Sequence, residues 1–284
     1  MDIGIGLPNT LDIAGPAIAE WARRAEERGF ARLATIDRIV YPTYDSLTAL
    51  AVAAGATSRI GVFSDILLGP LYPPVWLAKA SASLNETSGG RLTLGLAVGG
   101  REDDFAAMDR PFHRRGRLMD ETLELLQRAW AGEPVAGGEF PVVPAASVGS
   151  RPSVMIGGTV DAAVRRTVRY GDGWTAGGGG PDMAAPMIEK VRQAWRDAGR
   201  EGEPRLAALV YYGLGDEEAS KASLRGYYGF LGEWAEAIAA GAVRSPQAAA
   251  ATARAFADIG VTELVFDPTI ASLDEVDRLA DAVL

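Results

Sequence analysis

The sequence predicts a single-domain (β/α)8 barrel of the TIM-barrel class over residues 1–284. Two observations carry this expectation. Short β-rich runs alternate with longer helical patterns, the signature of a parallel sheet. The length of 284 residues suits one such barrel. A doubly wound open sheet is the structural alternative, and no composition shift marks a linker.

The first strand, residues 3–7, stops at Pro8. Residues 17–28 form a helix with Ile18, Trp21, Ala22 and Ala25 on one face, closed by Gly29. Strand two spans 31–36, followed by an Ala-rich helix at 47–57. Strand three spans 60–68, and its helix at 75–86 ends near Gly89. Strand four spans 92–98. The next helix, 114–130, holds Leu118, Leu125, Leu126 and Trp130 in register. Residues 132–151, rich in Gly, Pro and Ala, read as a long loop within the barrel. Strand five is 154–156 with a helix at 161–170, and strand six is 173–175 with a helix at 184–198. Strand seven is 205–212. Residues 217–240 form a helical insertion near it, carrying Tyr227, Tyr228, Phe230 and Trp234. A helix at 246–258, strand eight at 264–266 and a helix at 273–284 complete the chain.

The charge balance narrows the partners. Lys and Arg number 28 against 37 Asp and Glu, a net charge of −9. Such a surface argues against a nucleic-acid partner but leaves room for a local basic pocket that holds one phosphate. With no cysteine, disulfides, thiolate metal sites and thiol nucleophiles are excluded. No basic-plus-apolar leader opens the sequence, and no apolar run approaches the ~18 residues that span a bilayer. The expectation is a cytoplasmic protein with no membrane partner. The single histidine, His113, rules out a His-rich metal site, and its position before an amphipathic run places it near a helix N-terminus. Histidine titrates near neutral pH, so an acid or base role for it stays open.

A barrel of this class builds its site at the C-terminal ends of its strands. Asp37 and Arg38 follow strand two there, and Gly100 and Arg101 follow strand four. Gly157, Gly158 and Thr159 follow strand five and lead straight into a helix. Glycines let a ligand approach the backbone, and a helix N-terminus offers free N–H groups to an anion. The guanidinium of Arg101 can fork onto a phosphate, or pair with Glu102, Asp103 or Asp104. Ser64 and Asp65 lie inside an otherwise apolar strand, where a carboxylate is costly unless paired or hydrogen-bonded. Asp37, Asp65 and Glu102 have no metal-ligand spacing, and no metal site is expected.

Three blocks in order resemble the luciferase-like monooxygenase family, which includes bacterial luciferase and deazaflavin-dependent reductases and dehydrogenases. The first runs Ser88-Gly89-Gly90-Arg91-Leu92-Thr93-Leu94-Gly95-Leu96-Ala97-Val98-Gly99-Gly100-Arg101, with Asp104-Phe105 beyond. The second is Arg114-Arg115-Gly116-Arg117-Leu118-Met119-Asp120-Glu121. The third is Ile156-Gly157-Gly158-Thr159, followed by Tyr170-Gly171-Asp172-Gly173-Trp174.

The resemblance covers nearly the whole chain. It implies FMN or the deazaflavin coenzyme F420 at the strand C-termini, held by Ser64, Asp65, Gly100, Arg101, Gly157, Gly158 and Thr159. It implies catalytic roles for Arg38 and Asp65, and a non-proline cis peptide bond between Ser64 and Asp65. Arg38 stands where many members carry a histidine that takes part in catalysis. The implied partners are a small-molecule substrate, a second copy in a homodimer, and a separate flavin or deazaflavin reductase. Competing readings are a flavin-binding protein without turnover and a non-redox barrel enzyme acting on a phosphorylated substrate.

Overall fold

In the computed structural model, which describes residues 1–147 and 149–284, eight parallel strands close into a barrel in sequence order. They are β1 (Asp2–Gly6), β2 (Arg32–Thr35), β3 (Gly61–Leu68), β4 (Leu92–Ala97), β5 (Ser153–Gly157), β6 (Gly173–Gly177), β7 (Arg205–Tyr212) and β8 (Glu263–Pro268). Their helices are α1 (Pro16–Arg28), α2 (Ser46–Ala56), α3 (Pro74–Thr87), α4 (Glu102–Ala107), α5 (Arg115–Trp130), α6 (Asp161–Tyr170), α7 (Pro181–Asp197), α8 (Glu217–Tyr228), α9 (Glu233–Gly241), α10 (Pro246–Asp258) and α11 (Asp274–Val283). Closure through the β1–β8 pairing rules out the open-sheet alternative.

Side chains alternate across each strand, so every strand feeds two apolar compartments. Leu33, Leu67 and Leu94 face outward and pack beneath the helices with Leu50, Leu77 and Leu126. Burying a side chain of this size stabilises the fold by roughly 1.5–3 kcal/mol. The inward set fills the barrel itself: Ala34, Phe63, Met155, Leu209 and Val265 form a second cluster, capped by Tyr211.

Three features differ from the sequence expectation. Helix α4 was not expected, because six residues are too few to display a helical period. The insertion after β7 breaks into α8 and α9 at a short 3-10 turn, Gly229–Leu231, followed by Gly232 at φ +59. The cis peptide bond joins Asp65 and Ile66, one position beyond the expected bond between Ser64 and Asp65. The β3–β4 register explains the offset. It runs evenly to Ser64↔Leu94, then resumes at Leu67↔Leu96, so the bulge falls on Asp65 and Ile66. Val148, inside the expected 132–151 loop, lies outside the described residues.

Candidate functional site at the C-terminal mouth of the barrel

Two arginines meet over one aromatic ring at the mouth. Arg38 follows β2 and Arg101 follows β4. Their guanidinium carbons lie 5.4 and 3.9 Å from the centroid of Phe230, in the turn between α8 and α9. Arg38 also stacks on Tyr41 at 4.4 Å and Tyr227 at 5.2 Å, and donates to the Tyr227 carbonyl. Arg101 pairs with Asp103, and its Nε lies 3.4 Å from Asp104. Burial and the neighbouring Arg101 both push the Arg38 guanidinium below its ordinary pKa. Arg38 Nε, Arg101 Nε and Arg101 Nη1 are buried without a hydrogen-bond partner among the described residues. Two cations thus lie side by side with donors to spare, Arg101 being balanced in charge by Asp103 and Asp104.

Asp104 explains why this corner is ordered. Its fully buried carboxylate accepts from the backbone N–H groups of Ile39 and Val40, at 3.1 and 2.7 Å, tying the loop after β2 to α4. Asp37 ties the same loop to β3. It accepts from the Leu68 N–H at 2.9 Å and from the Tyr72 hydroxyl at 3.0 Å. Burial outweighs these bonds and pushes its carboxyl up to about 6.

Below the arginines, two carboxyls occupy the barrel interior. Asp65 on β3 is 4% exposed and accepts from the Thr175 hydroxyl on β6 at 2.8 Å. Burial pushes it up to about 7, and the charge of Glu263 adds to the rise. Asp267 on β8 is 1% exposed. Burial and then the charge of Asp65 push it well above the ordinary carboxylate range. Asp65 Oδ2 and Asp267 Oδ1 have no hydrogen-bond partner among the described residues. Near neutral pH Asp65 thus stands close to its midpoint and Asp267 favours its protonated form, which can donate as well as accept.

The remaining sequence-predicted residues fall into two groups. Ser64 is fully buried, and its hydroxyl donates to the Gly95 carbonyl and accepts from the Gly95 N–H, both at 3.1 Å. Its side chain therefore knits β3 to β4. Gly157 ends β5 inside the mouth, where a Cβ would stand 2.5 Å from Ile66 Cδ1. Gly158 has φ +121, a conformation suited to glycine, and its carbonyl accepts from the Trp174 indole at 2.8 Å. Gly100 and Thr159 are exposed at the rim. No hydrogen bond joins Arg101 to the 157–159 turn among the described residues.

Sequence reasoning missed Thr175, Asp267 and Phe230 as site residues. Asp267 carried a related signal, a carboxylate at the end of an apolar run where Asp65 lies inside one. Thr175 and Phe230 carried no signal, because only barrel closure sets Thr175 opposite Asp65. His113 lies in a 3-10 turn before α5 and takes part in none of these contacts.

Comparisons with known proteins agree with this architecture. An F420-dependent secondary alcohol dehydrogenase in complex with an F420-acetone adduct superposes with a TM-score of 0.83 at 15% identity, covering 99% of this chain and 98% of that one. The monooxygenase RslO1 from Streptomyces bottropensis gives 0.75 at 22% identity, over 99% and 96%. The coenzyme F420-dependent tetrahydromethanopterin reductase from Methanopyrus kandleri gives 0.73 at 17%, over 100% and 99%. These likenesses show the shared fold.

Among curated sequences, an uncharacterized protein of Mycobacterium tuberculosis is 30% identical over 206 residues, 63% of this chain and 71% of its own length. Pyrimidine monooxygenase RutA of Escherichia coli is 29% identical over 170 residues, 55% of this chain and 47% of RutA. The luciferase-like monooxygenase family model matches residues 1–276, and the chain belongs to that family.

Proposed function

We propose that this protein is a flavin- or deazaflavin-dependent oxidoreductase that acts on a small organic substrate at the C-terminal mouth of its barrel. The observation that carries the reading is the pair Arg38 and Arg101, whose buried donors lack partners. The glycines at the strand ends bear on how closely a ligand could approach the backbone. A side chain at Gly157 would collide with Ile66, whereas one at Gly100 would meet open space. Similarity to F420-dependent enzymes and to monooxygenases supports the same class.

When bound, such a cofactor supplies hydride transfer or oxygen activation. The protein's own contribution is binding and proton placement. Arg101 holds the cofactor phosphate, with open space at Gly100 beside it and Gly157, Gly158 and Thr159 at the neighbouring strand end. Arg38 cannot serve as a base at neutral pH, since a guanidinium stays charged; it stabilises negative charge on the ring or the substrate. Asp65, within the bulge and fixed by Thr175, is the catalytic acid in its protonated form, and Ser64 positions it through β4.

Fluorescence titration of the protein with FMN and with F420 tests the reading. Saturable micromolar binding of one of the two is expected. Absence of binding to both would overturn it. A homodimer through α2 and α3 belongs to the same proposal, because Val52 and Trp76 leave apolar surface exposed on these helices. A monomeric mass by light scattering at micromolar concentration would remove the dimer. A separate reductase would supply reduced cofactor if the reaction is a monooxygenation.

A further inference from the structure

The opposite end of the barrel holds a cavity of about 620 Å³, among the first residues of β2, β3, β5 and β7. Its walls carry five arginines, Arg32, Arg59, Arg91, Arg151 and Arg205, and one acid, Asp172. Three of the arginines are held rigidly by the fold. Arg205 bonds Glu263 at 2.6 Å and Ser153 at 2.6 Å. Arg151 forks onto Asp172 at 2.9 and 2.6 Å. Arg91 spends its donors largely on the backbone carbonyls of Ala54, Ile60 and Ser88.

The other two keep donors to spare. Arg32 gives its Nε to Glu263, while its two terminal nitrogens make no hydrogen bond among the described residues. Gly61 makes that placement feasible, since a Cβ there would lie 2.6 Å from Arg32 Nη1. The Arg59 guanidinium makes no hydrogen bond or ion pair among the described residues. The neighbouring acid on α1, Glu26, already accepts from the backbone N–H groups of Ser58, Arg59 and Ile60. Five guanidinium groups thus face three carboxylates (Asp172, Glu263 and Glu26) in a chain whose net charge is −9. A positive excess concentrated around an open volume attracts small anions.

We propose that this cavity is a second ligand site, which takes a small anion bearing a phosphate or pyrophosphate group. Guanidinium forks match phosphate oxygens, and the free donors of Arg32 on β2 and Arg59 in the loop before β3 border the same cavity. The site stands apart from the mouth and does not rest on the cofactor reading.

Calorimetric titration with inorganic pyrophosphate tests it, using the parent and the variants Arg59→Glu, Arg59→Gln and Arg101→Ala. The expected result is saturable binding at a site still present in Arg101→Ala, weakened at least ~10-fold in Arg59→Glu and less in Arg59→Gln. Two charge-assisted hydrogen bonds make a loss of that size reasonable. Arg59 lies on the surface, so both of its variants are expected to keep the parent melting temperature. No saturable binding by the parent, or binding lost in Arg101→Ala and retained in Arg59→Glu, would overturn the proposal. Loss of FMN and F420 binding alone would bear on the mouth and not on this site.

Discussion

Thr175 on β6 donates its 2.8 Å hydrogen bond to Asp65 on β3 across the barrel interior, between strands that are not neighbours. The bond satisfies one carboxyl oxygen and leaves Oδ2 without a partner. Burial has raised the carboxyl from 3.8 to about 7, so between these values the native chain holds a proton that the unfolded chain has released. Stability from this group is therefore fullest below about pH 4 and is lost as pH rises through about 7. Asp65→Asn removes the titration. Its melting temperature should gain on the parent between about pH 4 and 7 and level off above. Asp37 titrates in an overlapping window in both proteins and cancels in the difference. A constant gap across that range would refute the assignment.

Asp65→Asn should also separate binding from chemistry. The amide keeps the size and can still accept from Thr175, but it carries no acidic proton. Turnover should fall by roughly 10²- to 10⁴-fold, the usual worth of a positioned general acid. Cofactor affinity should change by less than about threefold. Equal losses in both would reassign Asp65 to cofactor binding.

The arginine pair makes different demands. Arg101→Ala should weaken cofactor binding by about 10- to 100-fold, the worth of one charge-assisted hydrogen bond of roughly 1.5–3 kcal/mol. Gly158→Val should weaken it through backbone strain at φ +121. Thr159→Ala should be milder than either. Arg38→Ala should lower affinity for cofactor or substrate while leaving the shape of the pH–rate profile intact. Loss of one limb of that profile, with binding unchanged, would contradict the role given to Arg38.

Glu263 offers a test of the fold's foundation. Its side chain is 6% exposed and bridges Arg32 and Arg205. Glu263→Gln leaves two guanidinium groups facing each other at the barrel floor. Removing one member of a buried pair costs ~3–5 kcal/mol. The arginines remain 22% and 27% exposed, so solvent screening should reduce the loss to about 2–3 kcal/mol. Denaturant unfolding at neutral pH measures it, and a loss below about 0.5 kcal/mol would show that the bridge is dispensable.

The barrel was legible because every helix but the short α4 had a sequence pattern and each strand an apolar run. Trp21 and Trp130 fell on the buried faces that their spacing implied. Arg38, Arg101 and Gly157 were recognisable as residues at strand ends, and Asp65 as a carboxylate inside an apolar strand. Their partners were not, because partnership here depends on closure. Thr175 reaches Asp65 from three strands away, and Phe230 reaches Arg101 from a segment more than a hundred positions downstream. The cis bond was misplaced by one residue because a bulge shifts register without any marker in the side chains.

The segment between β7 and β8 contributes most of the aromatic surface over the arginines, with Tyr227, Tyr228 and Phe230 in four consecutive positions. The strands beneath it close without its help. On the proposed reading, exchanging this one stretch between related chains would vary the surface over the arginines while leaving the scaffold and its interior carboxyls intact. Such chimaeras would give an engineer a family of catalysts that share a floor and walls but differ in their roof.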